Sequence, residues 1–407
     1  MKKNVLLFLF LSFMMNLSAG NVVIRVTNPT SIQRHELVST DVSLLRKTMK
    51  IDSNEPFIVR NAAKNEVPYQ ITYDGKLLID VVVHPKETAS LTVSNGTPSK
   101  MKESVKGALY KIRKDDIAWE NDRGAYRVYG PALQRTGEQS FGIDIWVKNT
   151  PDLVVEQRYL LDAEGNKIGD KLTKEGKKEA ADSVDRASSF HLDHGNGMDG
   201  YGVGPTLGCG TPALMNGGKL VYPYCYKTYK ILDNGPLRFT VELVYNSTTI
   251  GENTNVVEHR IISLDKGSNF NKMEVWYEGL SHLYDVASGV VLHGQEDRVV
   301  LGKNYVQYAD PTDAPKRNNS EIYVACLYPN GNVTTMIQKE DKSKGINASH
   351  ALGINKGYKQ GDKFVYYFGS AWSEYDCRSQ AEWQLRINEY LESLKNPLIV
   401  EINNAGK

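Results

Sequence analysis

The segment 238–245 (RFTVELVY) alternates strictly. Phe239, Val241, Leu243 and Tyr245 fall on one side of an extended chain, with Arg238, Thr240 and Glu242 on the other. A period of two fits a half-buried strand and misfits a helix. The same grammar recurs at 257–264 and 273–277, which flank the turn Asp265-Lys266-Gly267-Ser268-Asn269. Short apolar runs at 22–26, 57–59, 67–73, 77–83 and 90–93 are separated by turn signals such as Asn28-Pro29 and Asp52-Ser53-Asn54. Asp74-Gly75 between two such runs marks a tight hairpin. No repeat of fixed period is visible, which disfavours a propeller or solenoid. The chain is therefore expected to be mainly β. A small N-terminal β-barrel or sandwich module (21–100) precedes a polar separator (95–106, NGTPSKMKESVK), and a large antiparallel β-sandwich follows over 105–400.

One helix stands out near the C-terminus. Ser379 and Glu382 form a capping box, and Trp383, Ile387, Tyr390, Leu391 and Leu394 make one apolar stripe. Residues 162–187, rich in Lys, Glu, Asp and Gly, show no core-forming pattern and read as an exposed loop or lid.

The first twenty residues follow the grammar of a secretory signal peptide: Lys2 and Lys3, an apolar run from Val5 to Met15, then Leu17-Ser18-Ala19. Cleavage is expected after Ala19 or Gly20, giving a periplasmic or secreted product. The run is too short to span a bilayer, which takes about 20 residues, and no later stretch is long and apolar enough. The 49 Lys and Arg balance 48 Asp and Glu, so no basic field for nucleic acid exists. Cys209, Cys225, Cys326 and Cys377 allow two bridges in three connectivities, a Cys209–Cys225 pair among them, or four buried thiols. Their spacings do not match a zinc or redox site. Tyr supplies 23 aromatics against 10 Phe and 5 Trp. Its flat face and hydroxyl suit sugars, and equally suit exposed sheet faces.

The stretch from Gly235-Pro236-Leu237-Arg238 through Glu258-His259-Arg260-Ile261-Ile262-Ser263-Leu264-Asp265-Lys266-Gly267-Ser268 to Glu274-Val275-Trp276-Tyr277 resembles the supersandwich of galactose-mutarotase-like proteins. That fold also carries many polysaccharide lyases and accessory domains of glycoside hydrolases. The N-terminal module resembles the small barrel that precedes such sandwiches in rhamnogalacturonan exolyase-like proteins. Trp119-Glu120-Asn121-Asp122-Arg123, Tyr129-Gly130-Pro131, His191-Leu192-Asp193-His194-Gly195-Asn196-Gly197 and Gly369-Ser370-Ala371-Trp372 are similar to an uncharacterised exported family of polysaccharide-degrading Bacteroidetes. The resemblance runs through nearly the whole mature chain. It implies a fold and a milieu, while chemistry must be argued from the site.

The densest constellation is 190–210 (FHLDHGNGMDGYGVGPTLGCG), where glycines let backbone approach a ligand closely. His191 and His194 are candidate bases near neutral pH, and Tyr201 is a candidate acid for a leaving oxygen. Asp193, Asn196 and Asp199 are candidate substrate ligands. Their spacing also admits a Ca²⁺ reading, although the alternating ligands of an EF-hand are missing. No other cofactor is implied. The alternative is a structural loop whose His and Asp satisfy one another.

Trp119, Glu120, Asp122 and Arg123, with Arg127 and Tyr129 beyond, suit a sugar subsite: Trp offers a face for a pyranose and Arg forks onto a carboxylate. A turn with a local Asp–Arg pair is the plainer reading. Glu258 and Arg260 share a strand face, His259 the opposite one. The pair faces either a concave cleft or solvent. His293 sits where an apolar strand ends in a polar loop and is the remaining catalytic candidate, or a strand-end cap. His35, His84, His282 and His350 are expected at the surface. No G-x-S-x-G elbow or Walker loop is present, and the G-x-G-x-x-G at 195–200 lacks a βαβ setting.

These features point to a protein acting on acidic, uronate-containing, pectin-like glycans by β-elimination. In that scheme His191 or His194 takes the proton α to the carboxylate, Tyr201 protonates the leaving oxygen and Arg123 neutralises the acid. Isomerase chemistry on a free uronate, hydrolysis by carboxylates among Glu120, Asp122, Asp193 and Asp199, and a non-catalytic glycan-binding protein remain as rivals.

Overall fold

A computed structural model of the chain describes residues 20–311 and 320–404. The leader-like segment 1–19 lies outside them. The architecture is mainly β. Its centre is a nine-stranded antiparallel sheet. The strands follow one another as Tyr226–Asn234, Arg238–Tyr245, Asn253–Asp265, Phe270–Glu278, Phe364–Trp372, Glu321–Leu327, Tyr305–Pro311 and Val299–Leu301, with Thr248–Ile250 paired beside Asn253–Asp265. Phe239, Val241, Leu243 and Tyr245 are all buried, as the alternation requires.

Two five-stranded sheets share a core with one face of this sheet. The first runs Met198–Asp199, Asp144–Val147, Gly124–Val128, Asp116–Glu120, Lys106–Tyr110. The second runs Lys219–Val221, Cys209–Asn216, Tyr284–Val291, His350–Tyr358, Thr334–Gln338. Trp119 stacks on Phe239, and Tyr126 meets the ring of Phe368 edge-on. The opposite face of the large sheet takes the helix Gln380–Lys395, whose Trp383 and Ile387 pack with Phe270, Tyr323, Ala325 and Leu327. Ser379 accepts from the Glu382 N–H at 3.2 Å. Glu382 answers one residue early, accepting from the Arg378 N–H at 2.8 Å.

Residues 22–95 form two further sheets around a core of their own. One is four-stranded, in the order Ile399–Asn404, Val22–Thr27, Thr88–Asn95, Phe57–Arg60. The other is three-stranded: Arg34–Asp41, Lys76–Val83, Tyr69–Ile71. Asp74-Gly75 does close the expected hairpin, with Gly75 at φ 75°. The sequence did not signal that 399–404 returns to this sheet and puts Leu398 in its core.

Two expectations are corrected. The segment read as a loop or lid is a pair of helices, Val155–Lys174 and Lys178–Ser188, so the C-terminal helix has company. Val155 and Tyr159 pack with Trp146 and Phe190 on the outer face of the first five-stranded sheet. The glycines there are contact points: a Cβ at Gly165 would stand 1.8 Å from Ser188 Oγ and 2.4 Å from Ser188 Cβ. A surface made of glycine, Arg158 and Asp162 leaves no apolar stripe to read. Secondly, His350 is fully buried, accepting at Nε2 from the Leu207 N–H at 3.2 Å. All four cysteines are buried and free.

Gly165→Ala separates two opposed effects. In an open helix Ala would stabilise by about 1 kcal/mol. Against Ser188 the added methyl overpacks, a cost of about 1–3 kcal/mol. Chemical denaturation is expected to show net destabilisation, and a rise in stability would mean that the helices do not pack as described.

Candidate functional site

The 119–123 residues serve the fold. The Trp119 side chain is buried and donates from Nε1 to Asn271 Oδ1 at 2.7 Å, so no ring face is open to a sugar. Glu120 is also buried. It accepts from Lys148 Nζ at 2.7 Å and from the N–H groups of Val154 and Val155, which cap the helix that starts there. Asp122 accepts from the Gly267 N–H at 2.7 Å. Arg123 donates to the Gly267 carbonyl and to Asp376 at 2.8 Å, and lines a cavity beside the N-terminal module. Glu258 and Arg260 face neither cleft nor solvent. They form an ion pair inside the sandwich, with the Arg260 guanidinium 4.0 Å from the centre of the Tyr245 ring. Burial pushes the Glu258 carboxyl up, against the pull of Arg260.

The glycine-rich loop divides its residues between different partners. Asp193 accepts from the N–H groups of Gly195 and Gly197, both at 2.9 Å. Asn196 accepts from Arg158 at 2.7 Å, and Asp199 from Arg127 at 2.8 Å. Their oxygens do not converge on one ion, and among the described residues no group of three or more His, Cys, Asp and Glu is placed to hold a metal. His194 Nε2 meets the Ser189 carbonyl at 3.0 Å. His191 Nδ1 lies 3.1 Å from the Asp199 carbonyl oxygen, and burial lowers its affinity for a proton.

Beneath this loop is a charge cluster of which the sequence reading named Arg127 and Asp199 and missed Asp116 and Asp144. Arg127 is buried against Asp144, Asp199 and Asp116, and its guanidinium lies 4.6 Å from the centre of the Tyr129 ring. Burial pushes Asp116 up to about 6, and raises Asp144 and Asp199 as well. Strict alternation was the available signal: Asp144 takes the same face as Trp146, between Ile143, Ile145 and Val147.

Tyr201 and His293 do come together. The Tyr201 ring meets the His293 ring edge-on at 5.5 Å, while its hydroxyl donates to the Gly208 carbonyl at 3.2 Å. Burial holds that phenol well above its ordinary range. His293 Nδ1 stands 2.6 Å from Asp310 Oδ2. Asp310 is fully buried and His293 is 29% exposed, so a sealed carboxylate orients a ring that reaches solvent. His293 lines a groove of about 490 Å³ with Gly202, Gly204, Glu296 and Glu340. Asp310 continues the inward face of Val306 and Tyr308, the pattern that would have singled it out. The Arg123 cavity and the His293 groove share no lining residue.

The chain belongs to the family described as Domain of unknown function (DUF4861), whose model matches residues 26–400. It is 28% identical over 304 residues to Uncharacterized protein P7 of Formosa agariphila, covering 71% of this chain and 68% of that one. Among solved structures it is similar to an alpha-mannosidase from Enterococcus faecalis V583, with TM-score 0.50, 8% identity and 95% of this chain covered. A protein in the glycosyl hydrolase family 38 from Enterococcus faecalis gives TM-score 0.46, also at 8% identity over 95% of this chain. The chain spans about half the length of these two structures, 46% and 48%.

The Arg127 cluster makes stability pH-dependent. Carboxyls whose folded pKa is raised bind protons that the unfolded chain has released, so their contribution falls as pH rises from about 4 through about 6 for Asp116 and about 7 for Asp144. Asp144→Asn removes one of these groups. Its stability relative to the native chain should therefore rise with pH across that window in thermal melts. A difference independent of pH would show that Asp144 is not a protonated, desolvated acid.

Proposed function

We propose that this member of the family is a carbohydrate-active enzyme, periplasmic or secreted, that cleaves uronate-containing glycans by β-elimination with His293 as the base. The observation that carries the reading is the His293–Asp310 pair at the rim of a groove. A hydrogen bond from Nδ1 to a buried carboxylate fixes the ring and its tautomer, an arrangement that general-base catalysis uses. His293 takes the proton from the carbon α to the uronate carboxylate. That electron pair becomes the new C=C bond, the C–O bond to the leaving sugar breaks, the leaving oxygen takes a proton from solvent water in the open groove, and His293 then returns its proton to solvent. Lys339, ion-paired with the groove-lining Glu296 at 2.8 Å, brings a cation to the groove. Tyr201 braces the His293 ring and spends its hydroxyl on the Gly208 carbonyl, so it does not serve as the acid. The fold likeness to an alpha-mannosidase supports the carbohydrate part of the reading, and the leader-like 1–20 supports the location.

A second reading rests on Glu296 and Glu340 lining the same groove: two carboxylates are what hydrolysis needs. Incubation with a panel of acidic polysaccharides separates the two. Ultraviolet absorbance of an unsaturated product means elimination, and new reducing ends without it mean hydrolysis. His293→Ala should lower turnover about 10²–10⁴-fold, well beyond the loss of folded fraction that melts record when buried Asp310 loses this hydrogen bond. Asp310→Asn should also lose activity, through the wrong tautomer. Turnover that falls only as far as the folded fraction would remove His293 from the chemistry.

A further inference from the structure

We infer that the cavity between the N-terminal module, the 265–270 turn and the C-terminal helix is a second glycan site, which holds the carboxylate of a uronate unit. It goes beyond the groove reading and does not depend on it. The cavity measures about 550 Å³ and sits where three parts of the chain meet, a common setting for ligand pockets. Six cations line it: Arg34, Arg123, Arg238, Lys266, Lys272 and Arg386. The carboxylates in the lining are Glu36, Asp265 and Glu389, while Asp80, Glu274 and Asp376, which pair with Lys266, Lys272 and Arg386, stand outside it. The cavity wall is thus cationic, with the balancing charge set behind it.

Pairing leaves specific donors over. Arg238 binds Asp265 through Nε and Nη2, and Arg123 binds Gly267 and Asp376 through Nε and Nη1. Nη1 of Arg238 and Nη2 of Arg123 have no partner among the described residues, and neither is sealed from solvent. Guanidinium donors already fixed in place lose little freedom on meeting a planar carboxylate. Beside them the partly exposed rings of Tyr367 and Tyr390 meet edge-on at 5.4 Å. This aromatic wall suits the apolar face of a pyranose.

Calorimetry on the full chain with an oligogalacturonide, its methyl ester and a sulfated neutral oligosaccharide tests the assignment. The free acid should bind, and the ester should bind at least about tenfold more weakly. Lys272→Glu reverses one cavity charge at a 41% exposed side chain and should weaken the acid at least about tenfold. Arg123→Gln should do the same, and Lys227→Glu, exposed and outside both the cavity and the groove, should leave binding unchanged. A sugar held in the groove would be indifferent to Lys272→Glu and Arg123→Gln, which keeps this test apart from the groove reading. The site is overturned if the native chain does not bind the acid, if ester and acid bind alike, or if Lys272→Glu binds as the native chain does. Preference for the sulfated sugar would overturn the carboxylate assignment.

Discussion

Burial of the strand Glu321–Leu327 on both faces, in the central sheet, organises the molecule. In Glu321–Leu327, Ile322, Val324 and Cys326 enter the sandwich core, while Tyr323, Ala325 and Leu327 pack under the C-terminal helix. A strand covered on both sides has to be apolar throughout and find two different covers. The five-stranded sheets supply one and the helix with Phe270 the other. The first five-stranded sheet is in turn covered: the 155–188 helices lie over Trp146 and Phe190. Placing polar groups between such layers is costly unless each finds a partner, and this explains the ion pairs sealed inside.

That layering decides what could be read from the sequence. Strands with one face buried announce themselves by period two, which is why Phe239 to Tyr245 and the Asp74-Gly75 hairpin were legible. The 155–188 helices were not, because after Val155 and Tyr159 the buried positions of the first helix are Asp162, Gly165 and Gly169, and a helix face made of glycine and a carboxylate has no hydrophobic signature. Polar residues carry a further ambiguity. Glu120, Glu258 and Arg260 have the chemistry of sugar ligands and the surroundings of structural groups, and sequence order does not reveal whether a partner waits across the sheet. Glu120 meets the N–H groups of Val154 and Val155, more than thirty residues on.

The candidate site follows the same logic. His293 was legible as a polar end to an apolar strand, whereas Asp310, which gives it orientation, comes from the neighbouring sheet. His191 and His194 sit on a loop whose carboxylates are committed to Arg127 and to backbone N–H groups. The Gly-rich segment therefore contributes to the groove through backbone at Gly202 and Gly204, with Tyr201 bracing the His293 ring.

The pairing of 399–404 with Val22–Thr27 has a consequence in time. Val22 lies opposite Asn404, so one of the earliest strands to be made waits for one of the last. Closing so long a loop is slow, because its entropy must be lost before the contact returns anything. During synthesis, residues 22–95 can assemble three strands of their four-stranded sheet, with Val22–Thr27 left as an unguarded edge open to pairing with another chain. The returning strand is both latch and edge guard, and a chain clipped before residue 399 would keep its sandwich yet carry a sticky flank.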